Sequence, residues 1–513
     1  MRSGNLTASY RTLEELVAVS WIHASPQLTT WEEQFRVMPA PVASEARLSP
    51  IELAFVVCQC AYTVAMAAAF SVIAPFFPQE AESRDVSQTW VGVIFGAYQV
   101  FSLIATFGAH KTIRLLGLRA TLVLGIASFG TSTVLFGGLT LLDGKWAFVG
   151  AAIALRVIEA VGFSLSVVSL SSMVAIQFPQ RRSELWALFQ AIYILGMSGG
   201  AFVGGLLYAV GGFALPFLVI GVTAYVTGLV SLFFLRLCPH GAVGISNERD
   251  ACVGGGSSSS SSDSKKDASL PEILRRIPSL LAVSVAPSSL CALTLTAIET
   301  ALEPFLRPME LSPVVIGSLF MIAPGFFCLL SIAVGRFART RRGALTLVCV
   351  AVGGNAASML ALAGGHFFIR AHDTVGALSV VVVGLVLHGL AFMVFIPATN
   401  LALLITSAHG FEIGEAANAV SVLRFSSTFF GGACGSFVGG LVVNELGFLA
   451  AFGAVLLLTA LVAIGILGAT GAANKAKTST TAAVPIKSRD GHSDATTPLV
   501  VKLTLSAGGA AKV

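Results

Sequence analysis

Long apolar runs separated by short polar segments dominate the chain. In a bilayer every backbone amide must find a partner within its own span, so a run of roughly 20 apolar residues predicts a membrane-spanning helix. The pattern therefore predicts an all-α membrane protein with about twelve transmembrane helices in two six-helix halves. The helices are predicted at approximately 52–76, 89–108, 119–142, 146–173, 185–210 and 214–236, and then at 280–305, 313–335, 343–364, 375–397, 415–443 and 448–470.

The polar segments predict the domain boundaries. The opening segment has no basic start followed by an apolar core and a cleavage site, so we expect no signal peptide there. A run of glycines and serines at 254–262 is typical of a flexible linker between the halves. The predicted order is a cytosolic N-terminal segment (1–50), the first half (51–236), a cytosolic flexible linker (237–279), the second half (280–470) and a cytosolic disordered tail (471–513).

Composition agrees with a membrane protein and excludes several function classes. Hydrophobic residues make up 55% of the 513 positions and charged residues 11%, against roughly 25% charged in soluble domains. The net charge is only +5, and no basic stripe is interleaved with aromatics, so we expect no nucleic-acid partner. The eight cysteines suggest neither a disulfide framework nor a metal site. No phosphate-binding loop, zinc-helix signature or nucleophile elbow is present, so we predict neither an enzyme nor catalytic residues, a metal or a cofactor.

The positions of Lys and Arg predict the orientation. Cytoplasmic loops carry an excess of these residues, and here the excess lies after helices 2, 4 and 8 and before helix 7. All four loops lie on one side of the membrane, which we call the basic side, and we call the other the far side. The basic side should face the cytosol, together with both termini and the linker.

An internal repeat relates the two halves at a fixed offset of 235 residues. Such a repeat is typical of transporters whose halves are related by an axis along the membrane normal, with the substrate site near the midplane between them. The identical positions are Gly196, Gly200, Phe202, Val203, Gly204, Gly205, Leu206, Gly212 and Phe213, which recur as Gly431, Gly435, Phe437, Val438, Gly439, Gly440, Leu441, Gly447 and Phe448. We expect the glycines of helices 5 and 11 to permit close helix packing, with bending during gating as a further role.

Several motifs resemble the major facilitator superfamily. The string from Gly196 to Gly205 is similar to the glycine-rich helix 5 motif of its proton-coupled antiporters, with Ala201 where the family has Pro. Arg156, Glu159 and Gly162 match its helix 4 motif. The segments that begin at Phe76 and at Glu303 resemble the vesicular amine and polyamine transporter branch. The resemblance covers roughly 50–470 and implies the major facilitator fold, a cavity lined by helices 1, 4, 7 and 10, and a monomer.

The loop between helices 2 and 3 departs from the family pattern. Aligned on Gly117, it has His110 at the usual first Gly and Arg114 at the usual Asp. The matching loop after helix 8 has Arg339 at the Asp position. That Asp helps to latch the cytosolic gate in the family, so the latch here should be weaker or built from other groups.

Charged residues inside spans are costly and are therefore candidate functional groups. Arg156 and Glu159 are three residues apart in helix 4 and share a helix face. They form either a neutralising structural pair or a site for substrate or protons, and the sharpest hypothesis makes Glu159 the proton-coupling or substrate-binding carboxylate. His388 falls at the repeat position of Glu159, which predicts that the two lie across the cavity from each other.

Other polar residues in the spans extend the list of candidates. Glu299 and Glu303 lie four residues apart in helix 7, nearer the far side. Gln59 and Tyr62 are the polar residues that helix 1 offers. We expect Arg424 in helix 11 to extend its side chain to the membrane surface, a behaviour common for long basic side chains.

The balance of candidates suggests the cargo. The candidates comprise three carboxylates, one arginine and one histidine, a balance that favours a cationic or neutral substrate. A desolvated carboxylate can exchange a proton for an organic cation. We therefore predict proton-coupled antiport of a small organic solute, such as an amine, by alternating access in the plasma membrane or an acidic vesicle membrane. The alternatives are an uncoupled facilitator or symporter of a sugar, anion or metabolite, and a transporter-like receptor or scaffold.

Overall fold

The structure is a computed structural model that describes residues 49–178, 181–237, 270–409, 411 and 413–481. The predicted N-terminal segment up to residue 48, the linker between 238 and 269 and the tail from 482 lie outside the described residues. A short helix, Leu270–Arg276, lies within the range predicted as linker.

Twelve helical spans long and apolar enough to cross a membrane are present in the described part of the chain. Those of the first half are α1 (Pro50–Ser71), α2 (Gln88–Leu116), α3 (Leu118–Phe136), α4 (Lys145–Gln177), α5 (Arg182–Gly211) and α6 (Ala214–Leu237). Those of the second half are α7 (Ala286–Leu306), α8 (Pro313–Phe320, continued by Ile322–Phe337), α9 (Arg341–Arg370), α10 (Thr374–Phe392, continued by Phe395–Ala408), α11 (Ile413–Phe437, continued by Val438–Val442 and Val443–Leu446) and α12 (Phe448–Thr481).

The helix count is confirmed, whereas several predicted ends are wrong. The span predicted at 375–397 continues to Ala408, because Met393 and Val394, which lie between its two parts, keep right-handed helical φ and ψ angles. The last helix, predicted to end at 470, continues to Thr481. The first helix ends at Ser71 instead of 76, and after a turn the chain forms the short helix Phe77–Glu82 at the far side.

Local chemistry accounts for several helix ends and joints. At the start of α1, Ser49 and Glu52 form a capping box, in which the Glu52 amide donates to Ser49 Oγ at 3.3 Å and the Ser49 amide to Glu52 Oε2 at 2.9 Å. The joints after α5 and after α11 each need a residue with positive φ, which Gly212 (68°) and Gly447 (84°) supply. These two glycines are repeat mates, so the two halves turn in the same way.

Helix packing follows the sequence repeat. In the first half α1 packs against α5 and α6, α2 against α4, and α3 against α4 and α6. The second half shows the same pairs six helices later: α7 with α11 and α12, α8 with α10, and α9 with α10 and α12. The extensive contacts between halves, α2 with α11 and α5 with α8, are also repeat mates. The two halves are therefore related by an approximate two-fold axis.

The halves meet closely at the far side. A Cβ added to Gly440 of α11 would lie 2.6 Å from the Cα of Gly92 in α2. Gly205 of α5 approaches the backbone of Pro313 at the start of α8 in the same way. Backbones this close need glycine on at least one side. The far side is thus closed by contacts between the two halves.

Candidate functional site

Arg156 and Glu159 form an ion pair inside the first half. Both lie on α4 at 2% exposure, and Arg156 Nη1 donates to Glu159 Oε2 at 2.7 Å. Thr133 of α3 donates its hydroxyl to the other carboxylate oxygen at 3.3 Å. The guanidinium also lies 5.1 Å from the ring centre of Phe136. The helical spacing of three residues therefore brings the pair together as predicted, and each member already has a partner of opposite charge.

Two tyrosines lie beside this pair. The ring of Tyr98 on α2 lies 5.6 Å from the Arg156 guanidinium, and its buried hydroxyl has no hydrogen-bond partner in the described part of the chain. Tyr62 of α1 shares a hydrogen bond of 2.9 Å with Ser166 of α4. Tyr62 was a candidate from the sequence, whereas Tyr98 was missed. The available signal was a tyrosine deep in an apolar span, where an unpaired hydroxyl is costly.

Glu299 is the candidate carboxylate with an unpaired oxygen. It lies on α7 at 4% exposure, and its Oε2 has no hydrogen-bond partner among the described residues. It lies within electrostatic range of Arg156 and of Tyr193 on α5, both of which belong to the first half. Glu299 therefore lies at the boundary of the two halves. The Arg156–Glu159 pair lies on the first-half side of that boundary.

Glu303 belongs to a separate group of ion-paired residues at the closed far side. Arg307, one turn further along the same chain segment, donates Nε and Nη2 to the two carboxylate oxygens of Glu303 at 3.0 and 2.7 Å. The same guanidinium pairs through Nη1 with Glu82, at the end of the short helix in the first half. Glu303, Arg307 and Glu82 thus form an ion triad that joins the halves. Arg307 was not a candidate from the sequence, because the partner of a charge at a loop depends on tertiary contacts.

His388 and Gln59 are separate from the Arg156–Glu159 pair. Neither ring nitrogen of His388 has a hydrogen-bond partner among the described residues, and its ring packs edge-on against Phe392 of the same helix at 5.4 Å. No contact between His388 and Glu159 is found among the described residues, and their placement across the cavity from each other stays a prediction. Gln59 accepts a hydrogen bond of 2.9 Å from Ser231 on α6, inside the first half.

Arg424 lies at the boundary of the halves, so the expected extension to the membrane surface is wrong. Its Nη2 and Nη1 lie 2.7 and 3.1 Å from the side-chain oxygen of Gln190 on α5, with that amide oriented by the hydrogen bonds. The guanidinium packs 5.8 Å from the ring centre of Phe395 and 5.6 Å from that of Phe425. Its Nε is buried without a partner among the described residues. Two aromatic rings and an amide from the other half hold the side chain inward.

Aromatic rings connect the two charged regions. Phe163 of α4 lies 5.9 Å from Tyr98, 6.1 Å from Tyr193 and 6.3 Å from Phe429 of α11, measured between ring centres. Phe429 in turn lies 6.5 Å from Phe425. Four helices, two of which carry the charged groups Arg156 and Arg424, therefore contribute to one aromatic cluster between the halves. We call the region from Arg156 and Glu299 through this cluster to Arg424 the central cleft.

The predicted glycines fall into two groups by what they touch. Three in each half allow close packing within that half: Gly196, Gly200 and Gly204 against α1, and Gly431, Gly435 and Gly439 against α7. The fourth in each half, Gly205 and Gly440, touches the other half at the far side. No group of three or more His, Cys, Asp or Glu side chains that could hold a metal ion is found among the described residues.

Comparison with known proteins supports the resemblance noted above. The sequence profile of the Major Facilitator Superfamily matches residues 60–431. The chain belongs to this superfamily. The family's members are transporters, and the twelve long apolar helices in the described part of this chain are those of an integral, multi-pass membrane protein.

Curated relatives agree with the branch that the sequence resembles. The chain is 30% identical over 195 residues to the MFS-type transporter SLC18B1 of Rattus norvegicus, covering 36% of this chain and 43% of the relative. The same transporter of Homo sapiens is 31% identical over 166 residues, covering 32% and 36%. The aligned region spans less than half the length of these relatives.

Solved structures share the fold at low sequence identity. A bacterial homologue of the iron transporter ferroportin, in an inward-facing state, aligns with a TM-score of 0.58 at 14% identity over 83% of this chain and 99% of that one. The xylose transporter XylE from E. coli aligns with a TM-score of 0.57 at 13% identity over 82% and 99%. Both likenesses concern the fold alone.

Proposed function

We propose that this chain is a proton-coupled antiporter of a small organic solute that carries an amine or another cationic group. The proposal rests on the environment of Glu299. This residue is a buried carboxylate at the boundary of the two halves, with one oxygen that has no hydrogen-bond partner among the described residues. The sequence hypothesis gave the coupling role to Glu159, but that carboxylate is already held by Arg156 and Thr133.

A buried carboxylate is costly to keep ionised unless another group compensates its charge. Either a proton or a cationic ligand can compensate Glu299, and the two compete for the same oxygens. Binding of one therefore favours release of the other, which is the elementary step of antiport. The guanidinium of Arg156 lies within electrostatic range of Glu299, while Glu159 keeps that arginine in place.

The fold supplies the alternation of access that antiport requires. The far side is closed by the glycine contacts and by the triad of Glu82, Arg307 and Glu303. We propose that these contacts break when the central cleft opens to the far side, while the α1–α5 and α7–α11 pairs move as rigid units. On this proposal the basic side faces the cytosol, the protein works as a monomer, and the membrane is the plasma membrane or that of an acidic vesicle.

Uptake into proteoliposomes with an imposed pH gradient tests the proposal. We expect gradient-driven accumulation of at least one amine in a screen of amines, sugars and anions. Glu299→Gln should abolish accumulation, because the amide neither ionises nor exchanges a proton. Glu445→Gln is the matched control, since Glu445 is exposed at the end of α11 and, among the described residues, accepts a hydrogen bond from Asn444 beside it.

The other outcomes identify the alternatives. Flux that is independent of the gradient would indicate an uncoupled facilitator, and accumulation of a sugar or an anion would indicate a different cargo class. No flux for any class would indicate a receptor or scaffold. Unchanged gradient-driven uptake in Glu299→Gln would return the coupling role to Glu159 or His388.

A further inference from the structure

Pairing within the molecule leaves one charge of each sign in the central cleft. Glu159 is paired with Arg156, and Glu303 is paired with Arg307. Glu299 and Arg424 remain, and neither has an ion pair among the described residues. The cleft therefore presents a carboxylate and a guanidinium that each lack a partner of opposite charge.

The two groups belong to one site. Both lie within electrostatic range of Tyr193, whose ring packs against Phe163 at 6.1 Å. Phe163 contacts Phe429, which contacts Phe425, over which the Arg424 guanidinium lies. A set of aromatic rings thus leads from Tyr193, which lies within electrostatic range of Glu299, to Arg424.

A neutral amide is an incomplete partner for a half-buried guanidinium whose Nε is fully buried. Gln190 accepts from both terminal nitrogens of Arg424, but it supplies no negative charge, and Nε has no partner in the described part of the chain. An arginine presents five donors in a planar fork that matches a carboxylate. A ligand with only an ammonium group would leave this guanidinium without a counter-charge, and the two cations would repel each other.

We propose that the substrate carries two charged groups of opposite sign, with its cationic group at Glu299 and a carboxylate or similar anionic group at Arg424. This inference rests on the proposed function for the position of the cationic group and adds the substrate class. It makes Arg424 a specificity-determining residue of the cleft. The aromatic rings between the two charges contact the body of the substrate.

Binding to the purified protein, measured by thermal stabilisation without a pH gradient, tests the inference separately from proton coupling. The aromatic probes are 3-[4-(aminomethyl)phenyl]propanoate, 4-propylbenzylamine and 3-(4-methylphenyl)propanoate, which share a ring and carry both charges at opposite ends, the cation alone and the anion alone. The aliphatic probes are 6-aminohexanoate, hexylamine and hexanoate, in which the two charges stand at the ends of a flexible chain. We expect the two-charge member of at least one series to bind most tightly.

Variants of Arg424 locate the anionic group. Arg424→Gln should weaken binding of the two-charge probe about 10- to 100-fold, the usual effect of losing a hydrogen bond to a charged group. Binding of the cation-only probe should be unchanged or tighter. Arg424→Lys should retain much of the affinity. Arg336→Gln removes an exposed basic residue at the basic-side end of α8. It should change the binding of neither the two-charge probe nor the cation-only probe.

The opposite results overturn the inference. They are a cation-only probe that binds wild-type protein as tightly as its two-charge partner, equal losses for both probes in Arg424→Gln, or no binding by the two-charge members of both series. The wild-type series provides a test even if Arg424→Gln does not fold. Gradient-driven uptake of a simple amine together with any of these results would leave proton antiport standing and reject only the anionic subsite.

Discussion

The two halves share one scaffold but treat their buried charges differently. In the first half, Arg156 and Glu159 neutralise each other on one helix, and Thr133 satisfies the second carboxylate oxygen. In the second half, Glu299 has an unpaired oxygen and His388 has no hydrogen-bond partner for either ring nitrogen among the described residues. Duplication has preserved helix packing, while polar groups have diverged between the halves. We infer that the first half supplies a fixed pair and the second half supplies the group that exchanges ligands.

Removing Arg156 should give the largest effect on stability. Arg156→Ala leaves Glu159 buried without its ionic partner, which costs about 3–5 kcal/mol in comparable cases. The measurement is the free energy of unfolding in detergent. Replacing both residues by Leu should recover most of this loss, because a buried pair can often be exchanged for apolar groups. Wild-type stability of Arg156→Ala would contradict the view that the pair is a fixed structural unit.

Glycine substitutions test whether the shared scaffold is equivalent in the two halves. Gly200→Leu would press a side chain into the backbone of Ala68, and Gly435→Leu would press one into that of Leu293. Each should cost about 1–3 kcal/mol or more through overpacking and should impair transport. Gly199→Leu is the control, because a Cβ there meets nothing within 4 Å. A large cost in only one half would show that the scaffold has diverged as well.

Neutralising Glu299 should have little effect on stability. Glu299→Gln removes a buried charge without breaking an ion pair, so we expect the free energy of unfolding to change by no more than about 1 kcal/mol. Transport, in contrast, should lose its response to the pH gradient. For Glu299→Gln we thus expect a loss of coupling at nearly unchanged stability, whereas for Arg156→Ala we expect a large loss of stability. A loss as large as that of Arg156→Ala would mean that Glu299 is also a structural residue.

Breaking the link between the halves at Glu82 should give the smallest effect. Glu82 is 65% exposed, and exposed ion pairs contribute about 0–1 kcal/mol. Glu82→Gln should therefore raise far-side opening by less than about fivefold. Alkylation from the far side of a cysteine introduced at Thr300, in a chain without its native cysteines, measures this opening. Thr300 lies at the closed far side, where its carbonyl accepts from Gln88 of the other half at 2.7 Å.

Glu80→Gln is the matched control for the Glu82 variant. Glu80 lies on the same short helix, but its ion pair with Arg84 stays within the first half. Glu80→Gln should therefore leave the alkylation rate of the cysteine at position 300 unchanged. Equal rates for the two variants would show that the triad does not hold the far side closed.

The sequence by itself determined the scaffold. Apolar runs of membrane length predict the twelve helices, because backbone hydrogen bonds must close within each span. The repeat at an offset of 235 residues predicts the two-fold relation and the glycine contacts. The Arg156–Glu159 pair was also predictable, because the spacing of three residues on one helix fixes their separation. In each case the signal is local or periodic along the chain.

Only the tertiary structure decided how the charges are distributed between helices. Nothing near Glu303 in the sequence reveals that Arg307 also reaches Glu82, which is 225 residues away along the chain. Nothing near Arg424 reveals that Gln190 and two aromatic rings hold it inward. A charge in a span can form an ion pair within its own half, join the two halves or remain available to a ligand. Which of these it does depends on side chains of other helices, and helical periodicity does not specify them. That dependence is the reason that the sequence predicts the candidates and only the packed structure separates their roles.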